Sequence, residues 1–255
     1  MTASDLLLAG LAAVAAGAVN ALAGGGTLIS FPVLIALGVP PLAANITNAV
    51  ALCPGYFGAT LAQVRNLEGQ RKRASLLIPI SAVGGIAGAI ILVHTGERTF
   101  EALVPWMLMT ASVLLAIQEP VRAMVLRRSD ARQQPESTSV VTMSAVLAAS
   151  IYGGFFTAGM SVLIVAVLGL TSFDTFTRLN ALKQILAFTV NIAAVLFFVT
   201  SEHVIWSATA VMALGALAGG ALGGRLATKI KPSVLRWGVV AAGASIAIVY
   251  WIKDA

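Results

Sequence analysis

The chain has 255 residues, of which 58% are hydrophobic and 10% charged. A soluble domain carries roughly a quarter charged residues, so no water-exposed domain fits outside the apolar runs. The net charge of +6 would point to nucleic acid in a soluble protein. Here it reads as loop lysines and arginines gathered on one membrane face, and no nucleic-acid partner is expected. The one cysteine, Cys53, makes no internal disulfide.

A bilayer span needs about 20 apolar residues. In chain order the first run is Leu6–Leu37, interrupted by Gly24, Gly25 and Gly26. It has no basic leader, its first charge being Asp5, and it reads as a mature membrane segment. Ala43–Gln63, Ala74–His94 and Phe100–Ile117 follow, then a polar linker. After it come Val140–Leu170, interrupted at Gly153, Gly154 and Gly159, then Thr175–Val199, Val204–Leu222 and Val234–Trp251.

Positive charge sets the expected topology. Arg65, Arg71, Lys72 and Arg73 lie in one loop; Arg122, Arg127, Arg128 and Arg132 lie in the linker; Arg225, Lys229, Lys231 and Arg236 flank the last loop. All are assigned to the cytoplasm, and the loops around Glu97 and Glu202 to the outside. This is consistent only if Leu6–Leu37 and Val140–Leu170 each leave and return to one side as broken hairpins. Both termini are then outside and linker 119–139 is inside.

The two halves resemble each other at an offset of about 131 residues: Leu37-Gly38-Val39 matches Leu168-Gly169-Leu170, and Gly84, Gly85 and Gly88 match Gly215, Ala216 and Gly219. Asn48-Ala49 matches Asn180-Ala181 with a one-residue shift. Each half is a broken hairpin plus three full spans. Three is odd, so the second half is inverted. The expected fold is an all-α polytopic membrane helix bundle of two inverted repeats, 1–118 and 140–255, joined by the linker. Inverted repeats with glycine-broken segments at matching places mark secondary transporters, because each half can open to one side.

The segment Ala23-Gly24-Gly25-Gly26-Thr27-Leu28-Ile29-Ser30-Phe31-Pro32-Val33-Leu34, followed by Leu37-Gly38-Val39-Pro40-Pro41 and Ala44-Asn45-Ile46-Thr47-Asn48, resembles the first-repeat signature of the TauE/SafE sulfite exporter family. The resemblance covers nearly the whole chain. The second-repeat counterpart, Gly153 to Ser161, lacks the glycine run, and Val165-Ala166-Val167 stands where the proline would be. The resemblance implies a multi-pass protein of the bacterial inner membrane that moves small sulfur-containing anions such as sulfite or sulfonates.

Ionisable groups inside a span are functional candidates, because insertion costs each about 2.5–3.5 kcal/mol or more. Lys183 is the one clearly placed inside a span, with no acidic residue in the apolar regions to pair with it. An anionic substrate would fill that role. Asn180, Lys183, Gln184 and Asn191 share a broad helix face, and the matching helix carries Asn45, Thr47 and Asn48. Their amides and hydroxyls can donate to oxyanions. Asn20 and Thr27 flank the first break; Thr157 and Ser161 lie at the second. All are candidate substrate ligands, set against the plainer reading of interhelical polar bonding. Arg178, near a helix start, is a candidate gate or an ordinary interfacial arginine. The glycines on the later spans suit close helix packing. Trp106, Trp206, Trp237 and Trp251 read as interfacial anchors at span ends.

His94 and His203 are isolated, so no metal, cofactor or catalytic group is expected, and the chain does not read as an enzyme. With no nucleotide-binding loop in the sequence, energy would come from an ion gradient, proton or sodium, or from downhill flow. A passive anion channel and a carrier of a non-sulfur organic anion remain alternatives. The sequence leaves the transport direction and any homo-oligomer open.

Overall fold

The computed structural model describes residues 1–22, 25–129, 139–172, 174–226 and 232–253. Among these residues the chain is helical and carries no strand. The first half holds α1 (Ala3–Leu22), α2 (Thr27–Ala36), α3 (Pro41–Gln63), α4 (Arg71–Thr95) and α5 (Glu97–Ala116). The second holds α7 (Val140–Phe155), α8 (Met160–Thr171), α9 (Phe176–Phe198), α10 (Trp206–Leu226) and α11 (Pro232–Lys253). Between them lies α6 (Gln118–Ser129), inside the stretch read from sequence as a polar linker. Its helix follows from Pro120 in the first turn, where the missing N–H costs no bond. Of the basic residues assigned to one face, Arg132, Lys229 and Lys231 lie outside the described residues, as do Ala23 and Gly24 of the first glycine run.

Four of the described helices are long and apolar enough to cross a membrane: Ala3–Asn20, Arg71–Thr95, Glu97–Ala116 and Phe176–Phe198. α3 is as long as α9 but carries Asn45, Thr47 and Asn48, which lower its hydropathy. The outward faces are aliphatic. On α4, Leu76, Val83, Ile86 and Ile90 recur at helical spacing and are exposed, a stripe that suits lipid and not water.

Packing between the halves exceeds packing within them. α1 lies along α10, and α4 along α7; α4 also packs on α9, and α10 on α3. Exchanging α1–α5 for α7–α11 turns this set into itself. The glycines make these approaches close. Gly154 sits against the backbone of Gly85, and Gly219 against the carbonyl of Val14, with no room for a Cβ at either. The matched glycines of α4 and α10 therefore do one job in two places.

Equivalent helices run antiparallel where they meet. On α3 and α9, Gln63 pairs with Asn180, Thr60 with the Gln184 carbonyl, and Ala49 with Asn191. On α5 and α11, Trp106 meets Trp251 with ring centroids 5.0 Å apart, and Ser112 faces Gly243. Trp106 thus stands midway along α5, not at a span end. Its ring is 61% exposed, so it covers the tip of α11 from the lipid side.

The ends of the bundle differ in charge. At one end Arg73 pairs with Asp174, Arg236 with Glu119, and the Arg122 guanidinium lies over the Phe176 ring. At the other, Glu97 accepts from the Leu42 N–H, and Thr47 binds the loop at His203 and Ile205.

Candidate functional site

Both hairpins are broken short of a full return. The sequence placed the second break at Gly153, Gly154 and Gly159. The structure carries α7 straight through Gly153 and Gly154 and breaks it at Phe156–Gly159. The reason is packing: Gly154 admits α4, and only Gly159, at φ +81°, turns the chain. Tyr152 closes this break by donating its hydroxyl to the Ala158 carbonyl at 2.7 Å. The first break turns at Gly25, φ +86°. There the Asn20 amide oxygen accepts from the Gly26 N–H at 3.3 Å.

The two breaks meet at one turn of α5. A Cβ on Gly25 would stand 2.9 Å from Leu115, and one on Gly159 would stand 2.9 Å from Leu114. α2 begins at Thr27 and α8 at Met160, neither with a side-chain cap. Two helix N-termini therefore converge on the centre of the bundle. Most first-turn N–H groups are spent on the turn carbonyls of Gly25, Gly26, Thr157 and Gly159, so it is the helix dipoles that favour negative charge here. Phe31 of α2 and Phe156 of the second break touch edge to face at 5.4 Å and seal one side. The hydroxyls of Thr27, Thr157 and Ser161 carry no hydrogen bond among the described residues, while Thr27 and Thr157 are buried.

The candidate amides fall in two groups. Asn45, Thr47 and Asn48 lie in the first turns of α3. Asn45 donates to the Phe155 carbonyl at 2.9 Å; the Asn48 amide oxygen accepts from Ser30 of α2 at 2.6 Å. Thr47 is a cap: its hydroxyl accepts from the Ile205 N–H at 3.0 Å, just before α10. Asn180, Lys183 and Gln184 lie in the first turns of α9. Because α3 and α9 run antiparallel, this group sits beside Thr60 and Gln63, at the opposite end of the pair. The structure does not bring Lys183 to Asn48. Helical spacing sets the face on which Lys183 lies but not its height against α3.

The groups are counterparts under exchange of the halves. Counting from the first helical residue, Asn45 falls level with Asn180 and Asn48 with Lys183, a register three residues off the Asn48–Asn180 match read from sequence. Counting from α2 and α8 in the same way, Ser30 matches Leu163. The first half pairs a serine with an amide; at the same counts the second half carries Leu163 and Lys183. Lys183 is half-buried about 10 Å into α9. It has no hydrogen bond or ion pair among the described residues. Its helix neighbours are otherwise committed, with Asn180 donating to Gln63 at 2.7 Å and Asn191 to the Ala49 carbonyl.

Arg178 is held firmly. Its Nε lies 2.8 Å from Asp174, which also meets Arg73 of α4 at 3.2 Å. Gln70 donates to the Arg178 carbonyl at 3.0 Å. The loop after α3 is thereby clamped to the start of α9. Sequence reasoning missed Ser30, Asp174, Glu97 and Tyr152 as site neighbours. A serine in the first turn of a broken helix was the one available signal, and it lay within the quoted motif. Among the described residues no group of three or more His, Cys, Asp and Glu is placed to hold a metal.

The family model described as Sulfite exporter TauE/SafE matches residues 9–250. The probable membrane transporter protein YfcA of Escherichia coli (strain K12) is 27% identical over 236 residues, covering 91% of this chain and 85% of the relative. The probable membrane transporter protein ORF9 of Sinorhizobium sp is 25% identical over 240 residues, covering 93% and 89%. A probable membrane transporter protein of Haemophilus influenzae is 24% identical, covering 85% of each chain. No solved structure matches.

Proposed function

Since the chain belongs to the sulfite exporter TauE/SafE family, we propose that it is a membrane transport protein that carries a small sulfur-containing oxyanion. The observation that carries this reading is the meeting of two helix N-termini, α2 and α8, at one turn of α5. A fixed dipole at each terminus stabilises an anion without a permanent counter-charge. Uncommitted hydroxyls at Thr27, Thr157 and Ser161 can turn toward the same oxygens. Lys183, with no protein partner but toward the other end of the α3–α9 pair, supplies a positive charge along the anion's path and not at the helix starts themselves.

The mechanism follows from the exchange symmetry of the packing. Each hairpin leans on the opposite half, α1 on α10 and α7 on α4. Rocking one pair while the α3–α9 pair stays fixed opens the centre to one side, and the equivalent motion opens it to the other. The basic end of the bundle is the cytoplasmic end in this reading. The ion cluster of Arg73, Asp174 and Arg178 keeps that end shut, which gives Arg178 its gating role.

The test is ligand stabilisation of the purified protein by sulfite, sulfate, thiosulfate, simple sulfonates and acetate over a chloride baseline. A ligand at a hundredfold its dissociation constant adds about 2.7 kcal/mol. We expect a sulfur oxyanion to raise the melting temperature of the wild type and to lose most of that effect in Lys183→Gln. If no anion moves the wild type, the substrate class is wrong. If the mutant responds fully, Lys183 is not the counter-charge. Counterflow in proteoliposomes separates a carrier from a passive channel.

A further inference from the structure

One turn beyond the first break, α2, α3, α7 and α9 meet in a layer of side-chain amides. Ser30, Asn45, Asn48 and Asn191 are each at most 2% exposed there. Their partners fix which way each amide faces. Asn45 engages the Phe155 carbonyl and Asn191 the Ala49 carbonyl at 3.2 Å. A carbonyl only accepts, so both amides must present their NH2 group to it, and each Oδ1 is left over. Asn48 is the reverse. The atom on Ser30 Oγ stands 2.6 Å away, a length normal for O–H···O and short for N–H···O. Ser30 Oγ also lies 3.4 Å from the Gly26 carbonyl, but its one proton goes to the much closer Asn48 Oδ1, and Nδ2 is left over.

The leftover atoms are Asn45 Oδ1, Asn191 Oδ1 and Asn48 Nδ2. All three are buried with no hydrogen-bond partner among the described residues. Asn45 and Asn48 are one turn apart on α3, and Asn191 bonds the carbonyl next along from Asn48, so the set is local. Buried polar atoms without partners oppose folding, and a native structure keeps them for a reason. Here the set is specific in kind: two acceptors and one donor, with no charge.

Building on the anion-carrier reading above, we propose that this layer selects an oxyanion that still carries a proton. Asn48 Nδ2 donates to a ligand oxygen, and the ligand O–H donates to Asn45 Oδ1 or Asn191 Oδ1. A fully deprotonated oxyanion offers only acceptors and would set its charge against two carbonyl oxygens. Ser30 acts as a positioning residue, because its bond turns the Asn48 amide so that the donor faces the ligand.

The experiment uses matched anions at a single slightly acidic pH, with the full chain in detergent. Hydrogensulfite is compared with chlorate, both pyramidal monoanions, and hydrogencarbonate with nitrate, both planar. Within each pair the chief difference is one O–H group. The O–H member should bind about tenfold tighter or more, since the aprotic one leaves buried acceptors unpaired. Asn191→Leu should narrow that gap, and Asn48→Asp, which keeps an acceptor for Ser30 but loses the donor, should weaken both members of each pair. Equal binding within the pairs overturns the proposal and leaves the anion carrier standing. Failure of all four anions to bind removes both. If Asn191→Leu does not fold, the wild-type comparison decides alone.

Discussion

The two broken hairpins reach the same turn of α5 by different chemistry. In the first, the break is closed by a carboxamide, Asn20 on Gly26, and the following helix is tied sideways by Ser30 to Asn48. In the second, the break is closed by a phenol, Tyr152 on Ala158, and the following helix is apolar at the matching position, Leu163. Their exits differ as well. α3 begins under a single carboxylate, Glu97, on the Leu42 N–H; α9 begins inside the cluster of Arg73, Asp174 and Arg178. The first hairpin is tied sideways by a side-chain hydrogen bond where the second is apolar, and the second exit carries an ion cluster where the first has one carboxylate. Two helix sets with the same order of packing contacts thus differ in the side chains that hold them. The first half supplies oriented amides. The second supplies a lone cation and an ion-locked end.

That contrast can be broken in steps. The largest effect should come from Gly154→Leu, which drives a side chain into the α4 backbone at Gly85. We expect little folded protein on size-exclusion chromatography, and the same from Gly219→Leu at the α1–α10 contact. Equal damage at the two sites would show that the halves share the packing and differ only in polar chemistry. Next is Asp174→Ala, which strands Arg73, whose side chain is 5% exposed. A loss of about 3 kcal/mol is expected from thermal unfolding in detergent. Glu97→Ala, at the other exit, should cost only about 1 kcal/mol, the usual effect of losing a cap. Gly159→Ala falls between these two, because φ of +81° penalises a Cβ by roughly 1–2 kcal/mol, with contact to Leu114 added. The smallest change is Tyr152→Phe. It loses one hydrogen bond, about 1 kcal/mol, and should be matched by Asn20→Ala in the other hairpin. Unequal losses in that last pair would mean that one break is held mainly by its packing.

How much of this was legible in sequence depended on what each signal measures. Hydropathy located the apolar helices, four of which are long and apolar enough to cross a membrane. The matched glycines of α4 and α10 were readable because close backbone contact tolerates no other side chain. Gly153 and Gly154 misled, because the same residue serves packing and chain reversal, and only the backbone angle at Gly159 separates the two. The helical period put Asn180, Lys183, Gln184 and Asn191 on one face but could not set that face against α3. Antiparallel pairing then moved Lys183 away from Asn48. The short helix α6 was missed because it carries no apolar stripe, and hydrophobic periodicity was the signal in use. The Asp174–Arg178 pair is four residues apart and local, but the partner that ties Asp174 to α4, Arg73, is defined by the fold.

The pairing of α1 with α10 also has a consequence for biogenesis. α7 finds α4 already synthesised, whereas α1 must hold its small-residue face in the lipid until α10 emerges. At about 5–20 residues per second, the intervening chain keeps that face waiting on the order of ten seconds or more. An α1 helix with several glycines and alanines along that face has little to offer a wrong neighbour. Its blandness protects it during the wait. The two halves, made as separate chains in one cell, should therefore assemble only when both are present, since each lacks the surface on which its own hairpin rests.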